Sequence, residues 1–404
     1  MSARQLLRSL ASRVFPPQLP AEAKRQVERD RLGLPEHDPG PETAVRAHVA
    51  WLARAQDRSA SRDGGVARDF SLIKGWATSY PETTGYIVPT LLECARRDCD
   101  EDLRERGRRM LDWLVSIQLS DGGIQGGRID SEPRVPVTFN TGQVLLGLAA
   151  GVAEFGEGYR EPMNRAAAWL RDSLDSDGCW RRHPTPFAAP GEKAYETHVS
   201  WGLFEAERLE PGRGYGEAGL KQCRWAMTKL QPNGWVADCC LIRPEAPLTH
   251  TLGYMLRGLL EGYLLTDHDD LLASARRLAD ALLAVQEPSG RLAGRWTAQW
   301  RAARPWACLT GISQIAACWG VLHRLSGEAR YLDGMRRANR YVRRTVCWDG
   351  SADIVGAVAG SFPIDGGYGA YEYLNWSAKF AIDANLMELD NLAQQDPALR
   401  VMRA

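Results

Sequence analysis

A small turn recurs along the chain at nearly constant intervals, and this repeat constrains the fold more than any other feature. Each copy places glycine after a short polar residue, and the copies begin at Asp63, Asp121, Asp177, Asn233, Ser289 and Asp349. The successive spacings are 58, 56, 56, 56 and 60 residues. A fixed period of this length is typical of proteins in which one supersecondary unit is repeated.

Two kinds of helix flank these turns. Amphipathic segments with apolar residues at three- and four-residue steps come before the turns and end at Gln56, Gln118, Gln231 and Gln286. Their pattern predicts helices with one buried stripe. After each turn comes a loop of variable length and then a more apolar segment rich in Gly, Ala and Ser, which predicts a helix that is buried on all sides.

Six outer and six inner helices would form six hairpins, and a hairpin of this kind cannot bury its apolar face alone. A closed ring solves that problem. We therefore predict an all-α fold, an (α/α)6 toroid with a period of 56–60 residues, closed by a last inner helix over residues 373–392. One domain would span residues 42–404, preceded by a basic amphipathic extension over residues 1–41.

Charge and cysteine content exclude several classes of protein. The 404-residue chain has 50 Lys and Arg against 50 Asp and Glu, and this balance argues against a nucleic-acid binder. Nine scattered cysteines indicate free thiols in a reducing compartment. No apolar stretch reaches the length of a signal or transmembrane segment, so we expect a cytoplasmic protein. Arg4, Arg8 and Arg13 leave two readings of the N-terminus: a docking helix or frayed end, or a weak contact with a membrane surface or protein partner.

The repeat motif resembles those of known toroid families. Gln118 before Asp121-Gly-Gly, and Gln231 before Asn233-Gly-Trp235, resemble the motif of squalene–hopene cyclases and protein prenyltransferases. The period and the aromatic content also resemble six-hairpin glycosidases and the helical domain of uronyl C5-epimerases. The resemblance extends from about residue 42 over nearly the whole chain. It implies the toroid, but the activity stays open because such folds host several chemistries.

Functional residues should lie at the end of the ring that carries the turns, since the long variable loops are there. Glu82, Glu196 and Glu372 come at matching points near the starts of inner helices. We expect Glu196 and Glu82 to act as acid and base, because two carboxylates across a cleft can carry out glycoside chemistry. For Glu82 the alternative is a capping box with Ser79 that serves only its own helix.

Further candidates share this end of the ring. We expect His198 and His250 to transfer or orient protons, or else to be hydrogen-bonded core residues, and Tyr371 and Tyr373 to contact the reacting sugar. Arginines suit an anionic substrate, and tryptophans can stack on sugars or stabilise a carbocation. The predicted substrate-binding residues are Tyr80, Arg128, Asn140, Arg181, Tyr195, Arg295, Trp300, Trp306, Glu372 and Trp376.

Two motifs suggest other chemistry. Asp267-His268-Asp269-Asp270 matches the Asp-x-Asp-Asp proton donor of class II terpene cyclases, but it falls in a short connector at the wrong end of the ring. Asp238, Cys240 and His250 resemble the zinc ligands of prenyltransferases, although that family's histidine lies much farther downstream. We therefore expect no organic cofactor and treat zinc as a weakly supported alternative.

Three functions are compatible with these residues. The leading hypothesis is an enzyme that hydrolyses, eliminates or epimerises an acidic, uronate-containing glycan or glycan precursor by acid–base chemistry. The second is a terpenoid cyclase or prenyltransferase relative, which an apolar cavity with few carboxylates would favour. The third is a non-catalytic glycan-binding or scaffold toroid. In the first and third cases the ligand is a small molecule or an oligosaccharide.

Overall fold

Helices form nearly all of the regular structure in the computed structural model, which describes residues 19–392. A short helix α1 (Ala21–Arg31) comes first. The outer helices are α2 (Pro41–Asp57), α4 (Glu101–Ile117), α6 (Arg160–Ser173), α8 (Tyr215–Met227), α10 (Asp269–Ala284) and α12 (Ala329–Thr345). The inner helices are α3 (Pro81–Asp98), α5 (Thr138–Phe155), α7 (Thr197–Leu209), α9 (Thr249–Thr266), α11 (Leu309–Ser326) and α13 (Asn375–Leu392). This order confirms the predicted six-hairpin toroid.

The ring is closed by contacts between the two ends of the described chain. Successive inner helices pack on one another from α3 to α13, and α13 packs back against α3. The five outer helices from α4 to α12 each pack on the inner helix that precedes them in sequence. The remaining outer helix, α2, packs on α13. The sixth hairpin is therefore built from the first outer helix and the last inner one.

Glycines let the inner helices approach closely. A Cβ atom on Gly85 would lie 2.5 Å from the Cα atom of Val144, and one on Gly142 would lie 2.6 Å from the side chain of Val199. No side chain fits at such distances, because carbon atoms in contact are normally about 3.5–4.0 Å apart. The small residues predicted in the inner helices thus serve backbone contact.

The repeated turn has a structural explanation. Oδ1 of Asp121 accepts a hydrogen bond from the backbone N–H of Gly123 (3.0 Å), and Gly122 has φ +99°. Nε2 of Gln118 donates to the carbonyl oxygens of Gly122 and Pro162, both at 3.0 Å. Equivalent bonds are made by Gln56 and Gln286. In these three repeats the motif therefore fastens the turn to the next outer helix, which is why it identifies the fold and not the activity.

Short strands lie within the loops, where the sequence pattern predicted none. They are β1 (Asp69–Ser71), β2 (Gly75–Trp76), β3 (Ala307–Cys308), β4 (Ser361–Phe362) and β5 (Glu372–Leu374). β1 pairs antiparallel with β2 and with β5, and Ser71 lies opposite Glu372. β3 pairs antiparallel with β4. The first of these sheets joins the loop before α3 to the loop before α13.

Helix α1 is docked on the sixth repeat. Asp30 accepts a hydrogen bond from the backbone N–H of Ile364 (2.7 Å), and Arg29 donates to the carbonyl oxygen of Val346 (2.6 Å). The predicted contact through Arg4, Arg8 and Arg13 lies outside the described residues. Among residues 19–392, no helix combines the length and the apolar character needed to span a lipid bilayer.

Candidate active site

A cavity of about 730 Å³ opens at the turn-bearing end of the ring. The first residues of the inner helices form its wall, with Glu82 from α3, Asn140 from α5, His250 from α9 and Trp376 from α13. The loops supply the remainder of the lining. Of the predicted substrate-binding residues, the cavity brings together Tyr80, Arg128, Asn140, Tyr195, Glu372 and Trp376.

Glu82 is the carboxylic acid best placed for proton transfer. Its Oε2 accepts a hydrogen bond from the hydroxyl of Tyr80 at 2.7 Å. Burial raises the pKa of Glu82 to about 7, and the Tyr80 hydroxyl and the Arg68 charge oppose that rise. The capping-box alternative is wrong, because the hydroxyl of Ser79 bonds with Ser59 and Asp63 and no side chain caps α3.

Arg68 joins the two loops that the first sheet brings together. Its Nη1 bonds with Oδ1 of Asp69 at 2.5 Å and with Oε2 of Glu372 at 3.0 Å. Its guanidinium carbon lies 5.2 Å from the centre of the Trp376 ring. Burial raises the pKa of Asp69, and the Arg68 charge opposes this effect. The positive charge of Arg68 is therefore already shared between two carboxyl groups.

His250 presents one ring nitrogen to the cavity wall. Its Nδ1 lies 2.6 Å from Oε1 of Gln314. Because that oxygen can only accept, we assign the proton to Nδ1, which leaves Nε2 as an acceptor. Burial lowers the pKa of His250 to about 3, although the Gln314 hydrogen bond favours the charged ring. The imidazole is therefore neutral at physiological pH.

His198 makes an equivalent bond but does not line the cavity. Its Nδ1 lies 2.6 Å from Oε1 of Gln143, and its ring is fully buried. The ring of Tyr254 lies between the two histidines, with its centre 4.6 Å from that of His198 and 4.3 Å from that of His250. His198 is therefore a hydrogen-bonded core residue, the second of the two alternatives considered for it.

Glu196 lies in a separate, smaller pocket. That pocket has a volume of about 300 Å³ and shares Phe139, Thr185 and Tyr195 with the main cavity. The expected arrangement, in which Glu196 faces Glu82 across one cleft, is therefore not the one observed. The physical reason is the local backbone. Glu196 ends a 3-10 turn (Ala194–Glu196) that precedes α7, whereas Glu82 is the second residue of α3 itself.

Tyr371 and Tyr373 do not line the main cavity either. Successive side chains of a strand point to opposite faces, and in β5 it is Glu372 that faces the cavity. The hydroxyl of Tyr373 lies 3.9 Å from Sγ of Cys347 on the other side. Tyr371 has φ +63° at the turn just before β5.

Four more candidates stabilise loops. Arg181 bonds with Asp177 and Glu192, and Arg295 donates to Sγ of Cys240 at 3.1 Å. The indole of Trp300 donates to a backbone carbonyl. Trp306 packs so tightly on Gly294 that a Cβ atom there would lie 2.1 Å from its ring. Trp300 and Trp306, both in the loop before α11, are therefore held by contacts within the protein.

The residues that resemble the zinc ligands of prenyltransferases make other contacts in this structure, and the Asp-x-Asp-Asp motif lies away from the cavity. Asp238 pairs with Lys229 at 3.0 Å, Cys240 accepts from Arg295, and His250 bonds with Gln314. Between residues 19 and 392, no group of three or more His, Cys, Asp or Glu is placed to hold a metal ion. Asp267 and the aspartates after it lie where α9 meets α10, at the end of the ring opposite the cavity.

Several residues of the cavity were not predicted from the sequence. They are Arg68, Asp69, Lys74, Trp76, Thr78 and Phe139. Most of the polar ones come from the hairpin of β1 and β2, whose strands have three and two residues. The one available signal was Lys74-Gly75 between Phe70 and Trp76, which is compatible with a tight turn between strands.

No protein-family model matches the chain, and no curated protein is similar to it in sequence. Solved structures are similar in fold. An unsaturated glucuronyl hydrolase specific for heparin gives a TM-score of 0.70 at 13% identity, covering 88% of this chain and 98% of the other. A D-mannose isomerase gives 0.70 at 11% identity, with 87% and 97% covered. A polysaccharide lyase gives 0.62 at 12% identity, with 88% and 99% covered. The chain therefore has the (α/α)6 toroid of these three enzymes, and its reaction has to be inferred from the side chains of the cavity.

Proposed function

We propose that this protein is an enzyme that acts on a glycan or glycan precursor containing an acidic sugar. The observation that carries the proposal is the half-buried Glu82 carboxyl group, which accepts a hydrogen bond from the Tyr80 hydroxyl in the wall of the main cavity. The similar structures are of enzymes named for carbohydrates, and they support the substrate class. Three reactions remain: hydrolysis, elimination and epimerisation.

Glu82 is the proton donor in this proposal. A carboxyl group with a pKa of about 7 is half protonated near neutral pH, so it can give a proton to a sugar oxygen or carbon and take one back. The neutral His250 accepts a hydrogen bond from a sugar hydroxyl through Nε2 and orients the ring. Glu196 and His198 have no role in this proton transfer, because neither lines the main cavity.

Two basic side chains supply recognition of the acidic group. Lys74 and Arg128 line the cavity and are exposed at its mouth, where Arg128 lies 3.4 Å from the equally exposed Asp130. The charge of Arg68 is shared with two carboxyl groups. Trp76, Phe139 and Trp376 add aromatic faces to the same cavity, and such faces stack on sugar rings.

The hydrocarbon-cyclase alternative is less well supported by this cavity. Asp69, Glu82 and Glu372 place three carboxyl groups in the wall, whereas a terpenoid substrate requires an apolar one. We also propose a reducing cytoplasmic compartment, consistent with nine unpaired cysteines, and cell fractionation tests it. Such a compartment fits a biosynthetic intermediate better than a mature polysaccharide.

Proton NMR in heavy water tests the proposal. A panel of acidic and neutral oligosaccharides is incubated with the wild-type protein and with Glu82→Gln. Deuterium at C5 identifies an epimerase, new alkene protons identify a lyase, and new reducing-end anomeric signals identify a hydrolase. Turnover by wild type that is lost in Glu82→Gln supports the proposal. Saturable binding without turnover would instead identify a binding protein, and silence throughout contradicts the carbohydrate class.

A further inference from the structure

A second pocket of about 300 Å³ lies beneath the loop between α6 and α7. Phe139, Thr185 and Tyr195 belong to its wall and also to the wall of the main cavity. The two spaces are therefore neighbours that meet at these three side chains.

Glu196 is the unsatisfied group of this pocket. The residue is only 6% exposed, and its Oε2 has no hydrogen-bond partner. Lys193 is the nearest cation, but its Nζ donates to the carbonyl oxygens of Ala189 at 2.8 Å and Cys240 at 3.3 Å. A buried carboxyl group that is not fully hydrogen-bonded costs free energy, and Glu196 lines the pocket wall. Its side chain therefore points to a ligand that supplies a hydrogen bond to the carboxyl group.

The rest of the pocket selects a neutral ligand. Val137, Phe139, Trp180 and Pro184 form an apolar and aromatic surface. At the rim, Arg181 is paired with Asp177 and Glu192, and Lys193 donates to backbone carbonyl oxygens. Glu192 and Glu196 place two carboxyl groups in the same wall, which disfavours an anionic ligand. A space of about 300 Å³ is at the small end of ligand pockets and suits one ring.

We propose that this second pocket binds the neutral sugar residue that adjoins the acidic residue held in the main cavity. The inference rests on the proposed function, since it assumes an acidic sugar beside Glu82. Trp180 and Tyr195 supply faces for the neutral ring, and the Glu196 carboxyl group hydrogen-bonds to one of its hydroxyls. The substrate is then a glycan in which an acidic residue is linked to a neutral one.

Isothermal titration calorimetry with two kinds of probe tests this assignment. The first is methyl β-glucuronide, which fills the main cavity only. The second is a set of disaccharides of glucuronic acid and glucose, in both residue orders and with different linkages. We expect at least one disaccharide to bind wild type about tenfold more tightly than the monosaccharide, as one further hydrogen bond would give.

Two variants remove the second pocket without touching the first. Glu196→Leu deletes the hydrogen bond, and Ala188→Phe fills the pocket from a residue that does not line the main cavity. Both should abolish the disaccharide advantage and leave the affinity for methyl β-glucuronide unchanged. Glu196→Gln, which can still donate and accept, should keep most of the advantage, and the exposed Glu217→Gln should keep all of it.

Each outcome discriminates. If wild type shows no disaccharide advantage, or if both pocket variants retain it, the second pocket is not a sugar subsite and the proposed function survives. If the variants weaken the binding of both probes equally, Glu196 supports the fold and does not contact the sugar, and the inference is wrong. If no acidic sugar binds to wild type, the proposed function fails together with the inference.

Discussion

Tyr80 donates its hydroxyl to Oε2 of Glu82 across 2.7 Å, and this bond joins the residue just before α3 to the second residue within it. The start of α3 thus holds both Glu82 and the Tyr80 hydroxyl that lowers the pKa of Glu82. Because a raised pKa near neutrality is typical of a catalytic acid, the pair can be tested by pH dependence.

Glu82→Gln should lower kcat by at least about a hundredfold, because proton transfer by a positioned side chain contributes about 10²–10⁴ to the rate. In wild type, the acid is protonated below its pKa of about 7, so kcat/KM should fall as the pH rises through that value. Steady-state rates from pH 5 to 9 measure this limb. Unchanged rates in Glu82→Gln, with a wild-type circular dichroism spectrum, would remove Glu82 from the mechanism.

Tyr80→Phe should shift the alkaline limb of the pH–rate profile to higher pH. The Tyr80 hydroxyl stabilises the ionised form of Glu82 and so lowers its pKa, and its removal raises that pKa by about one unit. The same pH series provides the measurement, with Tyr263→Phe on α9 as a control far from the cavity. A limb that stays in place would show that the hydrogen bond does not tune the acid.

Glu196 should make the protein less stable in alkaline solution. Burial raises its folded-state pKa to about 8, well above its ordinary value of 4.5, so the folded protein binds the proton more tightly than the unfolded chain. The stability that the tighter proton binding of Glu196 contributes is therefore fully present below about pH 4.5, and it is lost as the pH rises through about 8. Thermal melts should show Glu196→Gln gaining on wild type between pH 5 and 9. Parallel curves for the two proteins would contradict the burial argument.

Lys74→Ala and Arg128→Ala should weaken the binding of an anionic substrate. Both side chains are exposed at the mouth of the cavity, so each contributes about 0.2–1 kcal/mol, a rise in KM of about 1.4- to fivefold with little change in kcat. The effect should shrink as salt is added. Arg208→Ala, at the far end of α7, is the matched control. Equal effects on a neutral substrate would argue against charge recognition.

Gly85→Ala should destabilise the ring by about 1–3 kcal/mol, because its Cβ would meet the backbone of Val144 at 2.5 Å. Gly158→Ala is the control, since a Cβ atom there has no neighbour within 4 Å. Urea denaturation followed by circular dichroism compares the two. A Gly85→Ala midpoint equal to that of wild type would show that α3 and α5 can move apart without cost.

The fold could be predicted because each of its determinants is local and repeated. The turn of Asp121, Gly122 and Gly123, with its Gln118 tie, is made again in other repeats, so a period in sequence translates directly into a period in space. The inner helices carry a second repeated signal, the small residues at which their backbones meet.

The cavity could be predicted most directly where an inner helix begins with a functional side chain. Glu82 and His250 meet that condition, and both line the cavity. Tyr373 does not, because its direction depends on a strand of three residues whose pairing partner is 303 positions away. The position of Arg68 could not be predicted for the same reason. Its partners Asp69 and Glu372 are brought together by a sheet that no sequence pattern predicts.

The sixth hairpin unites α2 with α13, and this has a consequence for biosynthesis. The ribosome delivers α13 last among the described helices, so Trp376 and Glu372 reach the cavity only after the other five hairpins have been synthesised. Until α13 has been made, the cavity lacks part of its wall and α2 lacks the inner helix on which it packs. The last of the described helices to be translated therefore completes the cavity and the ring together.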